Sequence, residues 1–377
     1  MIKILHLIKA LGRGGAEVLL PETLKLHDQN RFEFFYGYFL PFDDMEGVIE
    51  KEGGKVIHFK SDGNINMLLQ GEKVINFCKK NKIDIIHSHL PLAGFVARYV
   101  YSRTAIPVIY TEHNIQEKYH FATKLVNKFT YNKQTIALGV SEDVSTSIKK
   151  NINPRIPVRT LLNGVNTQFY TKNLQMGARV KAELDIPQEA IVLGNIAVFR
   201  EQKALPDWIR AFAEVSKQKT DVYGLLVGAG PQEEEVKNII RELKLENKIK
   251  LPGVKEDTLP YFSAMDIFLL SSEFEGLPIA LLEAMSMECA VVSTRAGGVV
   301  EAIRDKKEGL LCEVGDFRCL ARKSVELIDD EELRKSLQCS ARKRVEDFFS
   351  LDIMVSRLEI LYEEVISKKS LEKAFYL

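Results

Sequence analysis

The sequence has no CxxC pair, and its five cysteines, Cys78, Cys289, Cys312, Cys319 and Cys339, are scattered singly. Odd in number and widely spaced, they speak against a zinc ribbon or a disulfide frame, and reduced thiols in a cytoplasmic protein are expected. No run of about 18 apolar residues occurs, which excludes a membrane-spanning helix. The N-terminal stretch MIKILHLIKALGRGG has too short an apolar run, and no small-residue cleavage site, for a secretory signal. Asp-x-Asp is missing too, so a metal clamp on a diphosphate lacks its usual carboxylates. Excess charge of either sign is also missing: 52 Lys+Arg balance 52 Asp+Glu. Without clustered basic residues and a matching motif, nucleic-acid binding is not expected.

What is present is ordinary globular material, 46% hydrophobic and 28% charged. At 377 residues the chain exceeds one core, so two domains are expected. The charge is uneven: residues 1–165 hold 22 Lys+Arg and 16 Asp+Glu, a balance of +6. A basic half suits an anionic acceptor or peripheral contact with an anionic membrane surface, and chance variation in solvated charge produces the same imbalance.

Strand-like and helix-like segments alternate through the first half: MIKILHL, then a helix from about Ala16, then Phe32–Leu40, Lys55–Phe59, Ile83–His89, Pro107–His113 and Thr135–Ser141. Such alternation predicts a parallel, doubly wound sheet. It breaks in the Asn- and Pro-rich stretch 151–173 and then restarts with AIVLGNIAVF, ending near Phe199. The fold class is therefore α/β, two doubly wound Rossmann-like domains facing across a cleft. Residues 1–165 form the first and 166–350 the second, with a helix at about 351–377 returning to the first. Ligands favour the carboxyl ends of strands in such sheets.

Several loops at those ends carry polar groups. Gly12-Arg13-Gly14-Gly15-Ala16-Glu17 follows a strand and opens a helix, where backbone N–H groups attract anions. Glu17 occupies the sixth place of a GxGxxG fingerprint, so a dehydrogenase-type nucleotide site is excluded, and no GK[ST] follows for a Walker loop. His87, Ser88 and His89 end one strand; Glu112, His113 and Asn114 end another. A lone histidine there is more often structural, but two clusters at one edge point to a ligand. Nothing in their spacing predicts a metal site. Arg200 and Lys203 follow the first strand of the second half, where cations can meet phosphate oxygens.

The densest stretch is SSEFEGLPIALLEAM, Ser271–Met285. Glu283 lies inside an apolar helical run, and an unpaired buried carboxylate costs several kcal/mol. Pro278 suits the first helical turn, with Gly276 and Leu277 before it. Glu275 precedes the helix. Two acceptor oxygens on Glu283 suit a ribose diol, so the pair is read as gripping two parts of one ligand.

Together these segments resemble the family 4 (group 1) retaining glycosyltransferases of GT-B fold. The resemblance runs over about residues 1–344 and rests on GGAE (Gly14–Glu17), TEH (Thr111–His113), VSE (Val140–Glu142), NGVN (Asn163–Asn166) and VGAGP (Val227–Pro231). Its most specific parts are EGLP…EAM and GGVVE (Gly297–Glu301). The resemblance implies that His113, Lys203 and Glu275 are catalytic: His113 beside the transferred sugar, Lys203 on the diphosphate, Glu275 on the sugar. It implies that Gly14, Gly15, Arg200, Gly276, Leu277 and Pro278 line the donor, with Glu283 on the ribose. Two departures stand out. The family's Arg four or five places before the Lys is replaced by Val198 or Phe199, leaving Arg200 three places away, and the Gly after the Lys is Ala204.

The implied activity is transfer of a sugar, with retained configuration, from a nucleotide-sugar donor. UDP- or GDP-sugars are the expected donors and a glycan or lipid-linked molecule the acceptor, in surface polysaccharide biosynthesis. No cofactor or metal is expected, and the site is cytoplasmic. The alternatives are a nucleotide-sugar 2-epimerase and a catalytically silent nucleotide-sugar-binding partner.

Overall fold

In the computed structural model, which describes residues 1–375, the chain divides into two compact units. One comprises Met1–Asn163 together with the chain from Leu351 onward; the other is Gly164–Ser350. Each is built on a parallel sheet, as the alternation of segments predicts.

The first unit holds seven strands: β1 (Ile2–Leu7), β2 (Phe32–Tyr38), β3 (Lys55–His58), β4 (Ile85–His89), β5 (Val108–Glu112), β6 (Ile136–Gly139) and β7 (Val158–Thr160). Their order is β3-β2-β1-β4-β5-β6-β7, all pairs parallel. Side chains alternate between faces with period two. Leu5, Leu7, Ile86 and Val108 pack with Val74, Val96 and Val100 from helices Gly71–Asn81 and Pro91–Thr104. Ile4, Ile85 and Ile109 face the other way, against Leu358, Leu361, Tyr362 and Val365 of the helix Leu351–Phe375. His6, His87 and His89 share that second face, being two or four residues on from Ile4 and Ile85.

The second unit has six parallel strands: β8 (Ile191–Ile196), β9 (Val222–Val227), β10 (Ile249–Gly253), β11 (Ile267–Leu270), β12 (Ala290–Thr294) and β13 (Leu310–Cys312). Their order is β10-β9-β8-β11-β12-β13. Trp208, on the helix Leu205–Gln218, is fully buried in this core and donates its indole N–H to the Leu269 carbonyl at 2.9 Å.

In each sheet the chain builds outward on one side of its first strand and then crosses to the other side. The direction reverses between β1 and β4, and between β8 and β11. Loops after such strands diverge, which leaves room for a ligand. The histidines of β1 and β4 lie at one switch point, and the loops carrying Lys203 and Glu275 follow the strands of the other.

Three local expectations are corrected. The strand expected to run to Phe199 ends at Ile196, because the backbone turns there to pair with the loop after β9. Pro278 is the residue before the helix Ile279–Ser286, with extended backbone (φ −71, ψ 124), and not part of its first turn. Cys312 and Cys319 are not free thiols: they form a disulfide, with Cα atoms 5.8 Å apart. The short turn from the end of β13 into the helix Phe317–Asp329 brings them within the bridging range. The cysteines therefore supply no argument for a reducing compartment. Cys78 and Cys289 are buried and free; Cys339 is exposed. Among the described residues no helix is long and apolar enough to cross a membrane.

The last helix buries Leu351, Val355, Leu358, Tyr362 and Val365, a recurrence every three or four residues that places one face on the first sheet. Leu358→Ala removes most of a buried side chain from this seam and should cost about 2–5 kcal/mol in denaturant unfolding. Ile360→Ala, on the exposed side of the same helix, should stay within about 0.5 kcal/mol.

Candidate active site

β8 leads into a loop and a single 3-10 turn, Glu201–Lys203. The loop is held by backbone bonds to the segment after β9: Phe199 N–H donates to the Ala229 carbonyl (2.9 Å) and Gln232 N–H to the Phe199 carbonyl (3.0 Å). The approach is close enough to require glycine. A Cβ on Gly230 would fall 2.5 Å from the Phe199 carbonyl oxygen, and Gly228 has φ +127. The VGAGP turn thus shapes the neighbouring loop through its backbone.

Ala204, directly after Lys203, has left-handed backbone (φ 45, ψ 46). That conformation costs a non-glycine residue about 1–2 kcal/mol, which explains why glycine suits this place in the family. Ser271 holds the turn, its hydroxyl donating to the Lys203 and Ala204 carbonyls at 2.8 and 3.0 Å.

The turn delivers Lys203 to Glu275. Lys203 Nζ lies 2.6 Å from Glu275 Oε1, and Ser272 donates its hydroxyl to the same oxygen at 2.6 Å. Gln202 Nε2 reaches Glu275 Oε2 at 3.3 Å and the Phe274 carbonyl at 2.9 Å. Glu275 is only 5% exposed. A carboxylate taken out of water there is stabilised by one cation and two neutral donors. Ser272 is fixed in turn by Thr294, whose hydroxyl donates to its carbonyl at 2.6 Å.

Gly276, Leu277 and Pro278 follow, all buried. No side chain caps the helix Ile279–Ser286. Its opening amides are the kind of donor that helix geometry leaves to an anion or hydroxyl. Glu283 sits in that helix, 8% exposed, among fully buried Leu281, Leu282, Ala284 and Met285. Arg200 is exposed and takes no part in the Glu275 cluster. Sequence reasoning missed Gln202 and Ser272: they neighbour Lys203 and precede Glu275, but only the fold brings the two loops together.

The other site residues lie in the first unit. His113, just past β5, is half-buried, and its Nε2 is 3.3 Å from His89 Nδ1. Burial lowers its pKa to about 4, so the ring is neutral at pH 7. Gly14 precedes the helix Gly15–Leu26, and the Glu17 carboxylate occupies the space that a Cβ on Gly14 would need.

A buried polar network behind β5 holds the segment bearing His113. Glu112 accepts from the hydroxyls of Tyr110 and Tyr119 and from Gln116 Nε2. Asn127 Nδ2 donates to Gln116 Oε1 at 2.9 Å, and buried Arg98 donates to Asn127 and Gln134, both at 2.8 Å. The guanidinium stacks over Tyr110 and Tyr131 at 4.7 and 4.5 Å. Desolvation dominates at Glu112 and raises its pKa to about 7, against those hydrogen bonds and Arg98.

Two sequence profiles match the chain. The one described as Glycosyltransferase Family 4 matches residues 4–169, and the one described as glycosyl transferases group 1 matches residues 178–344. The chain belongs to the group 1 glycosyltransferases. Among relatives of this glycosyltransferase, N-acetyl-alpha-D-glucosaminyl L-malate synthase of Bacillus anthracis is 26% identical, covering 79% of each chain. A UDP-Gal:alpha-D-GlcNAc-diphosphoundecaprenol alpha-1,3-galactosyltransferase of Escherichia coli is 23% identical, over 85% of this chain and 89% of its own. Among solved structures, Anabaena HepE in complex with UDP and glucose superposes with TM-score 0.88 at 21% identity, covering 97% of this chain and all of that one. Sucrose-phosphate synthase of Thermosynechococcus elongatus gives 0.84 at 16% identity, over 98% and 100%. These likenesses establish the GT-B fold for this glycosyltransferase.

Raising the pKa of Glu112 means that folding favours its protonated form. The stability this confers is fully present below the unfolded value near 4.5 and is lost as pH rises through about 7. Glu112→Gln keeps an acceptor for one of the two tyrosines and removes the ionisation. Its stability relative to the parent should therefore climb by roughly 3 kcal/mol between pH 4.5 and 8, then level off. A pH-independent difference in unfolding free energy would contradict the assignment.

Proposed function

We propose that the protein transfers a sugar, with retained anomeric configuration, from a nucleotide-sugar to a hydroxyl of a glycan or lipid-linked acceptor. The observation that carries this reading is the pairing of half-buried Lys203 with buried Glu275 beside an uncapped helix start, with Glu283 further along the same helix. Each part answers to a part of a nucleoside diphosphate sugar. Glu283 accepts from the ribose hydroxyls. The amides of Gly276, Leu277 and the helix start meet phosphate or sugar oxygens. Glu275 accepts from a hydroxyl of the transferred sugar. His113 serves the sugar, and Gly14 and Gly15 the diphosphate or acceptor.

In the reaction the bond from the anomeric carbon to the phosphate oxygen breaks, and its electron pair stays on that oxygen. Lys203 has three N–H bonds, so it can keep Glu275 while turning another proton toward the growing charge. Stabilising charge that appears only in the transition state raises kcat. Arg200, exposed three places before Lys203, adds a second cation on reaching inward. The acceptor oxygen bonds to the anomeric carbon from the face the phosphate leaves, and its proton passes to the departing phosphate oxygen. Lys203 does here what a metal does in other transferases, so no added divalent cation is required for transfer.

A donor of the UDP class and a lipid-linked acceptor are supported by the names of relatives: one is named for both UDP-Gal and a diphosphoundecaprenol acceptor. Another is a capsular polysaccharide biosynthesis glycosyltransferase of Staphylococcus aureus, 24% identical over 78% of this chain. Surface polysaccharide assembly at the cytoplasmic face of a membrane is the setting that fits, with the basic first half toward the anionic surface.

The test begins with thermal shift against UDP-, GDP-, ADP- and TDP-sugars, since a ligand that binds the native state raises the melting point. NMR of the product made from the best donor should then show its anomeric configuration retained; inversion overturns the proposal. Lys203→Ala should lower kcat by about 10²–10³-fold, and its melting curve checks for the carboxylate left unpaired at Glu275. Glu283→Ala should weaken nucleotide binding about 10–100-fold, measured by calorimetry; unchanged affinity removes its ribose role.

A further inference from the structure

Four imidazoles line up on one face of the first sheet. His6 pairs in register with His87 across β1 and β4, His89 pairs with Thr111 across β4 and β5, and His113 follows two residues later. His6 Nδ1 and His89 Nε2 face each other at 3.0 Å, and His89 Nδ1 meets His113 Nε2 at 3.3 Å. His87 lies between the Tyr362 hydroxyl (2.8 Å from Nδ1) and the Thr111 hydroxyl (2.7 Å from Nε2). The donor-transfer residues of the second unit play no part in this group.

Neutral His6 and His89 share one proton between facing nitrogens. The same histidines line a cavity of about 30 Å³, room for one or two water-sized occupants. Leu19, Leu20 and Leu358 form part of its apolar wall.

We propose that His6, His87 and His89 form a site for one divalent transition-metal ion of the zinc class, with a water in the fourth position. One nitrogen from each ring lies within 4.8 Å of the other two. Two nitrogens sharing a tetrahedral zinc at 2.0–2.1 Å stand about 3.3 Å apart, close to the 3.0 Å between His6 and His89. The metal takes the place of the shared proton, and His87 exchanges its Thr111 hydroxyl for the ion. Two of the three ligands have outer partners already in position: His89 Nδ1–H donates to His113, and His87 Nδ1–H to Tyr362. Such partners fix ring orientation and tautomer in metal sites. A donor set of imidazoles without carboxylates selects zinc, copper, nickel or cobalt over magnesium or calcium. The ion's role is positional. It sets His89 as donor, which makes His113 Nε2 an acceptor and leaves the His113 Nδ1–H for a ligand.

The full chain, stripped by dialysis against a chelator, is titrated with Co²⁺ alone. Visible ligand-field bands should saturate at one ion per chain and be displaced by Zn²⁺. His6→Gln and His89→Gln, checked for folding by circular dichroism, should each weaken binding roughly tenfold or more. His120→Gln, at the start of the helix Phe121–Thr130 on the surface, should leave it unchanged. X-ray absorption on the zinc-loaded parent chain needs no variant and should give a shell of nitrogen and oxygen with imidazole scattering. Sulfur in that shell, loss of the metal on gel filtration, or equal binding by the folded histidine variants overturns the proposal.

Discussion

A buried carboxylate that must be kept company organises the second unit. Glu275 has lost almost all contact with water, and Lys203, Ser272 and Gln202 converge on its carboxyl oxygens. Those three side chains come from two loops, one after β8 and one after β11. The pairing therefore welds the loops at the point where the sheet reverses direction. Other features serve that weld: the left-handed turn at Ala204, the Ser271 hydroxyl beneath it and the close backbone approach at Gly230. Breaking such a pair by removing one partner is far costlier than never having built it, so the cluster is a structural tie between the two loops.

The first unit solves a different problem. Its sheet carries polar side chains on a face that must also seat the last helix. Tyr362 bridges the two requirements, with its ring in the apolar cluster and its hydroxyl on His87. Glu359 of the same helix accepts from the Asp28 amide at 2.9 Å and sits 3.0 Å from His27 Nδ1. On the opposite side of His113, the Arg98–Glu112 network fills space with polar groups that pair with one another. His113 is thus placed by its own contact with His89 and by the network that anchors its chain neighbour Glu112.

Much of the architecture was legible because it follows from local pattern. Apolar runs of strand length alternating with amphipathic segments imply parallel sheets, and EGLP…EAM pointed to its loop and helix. The partner of Glu275 was hidden, since it lies 72 positions away and only the strand order brings it close. The histidine ladder was hidden for a related reason: HSH announces two rings on one face, but the pairing of His6 with His87 depends on register. Arg98 reads as an ordinary surface cation in a helix, and its burial follows from aromatic neighbours contributed by other segments. The disulfide escaped because a spacing of seven matches no recurrent cysteine motif and depends on how tightly the chain turns after β13.

One feature of the partition reaches beyond the finished molecule. The helix that completes the first sheet's face is encoded after the whole second unit, so residues 1–163 leave the ribosome with an apolar surface still uncovered. The second unit, continuous from Gly164 to Ser350, emerges whole and can close its core while the earlier one waits. Synthesis proceeds from the amino end, yet the N-terminal body matures last, and the nascent chain must be shielded from aggregation for as long as translation takes to supply the missing helix.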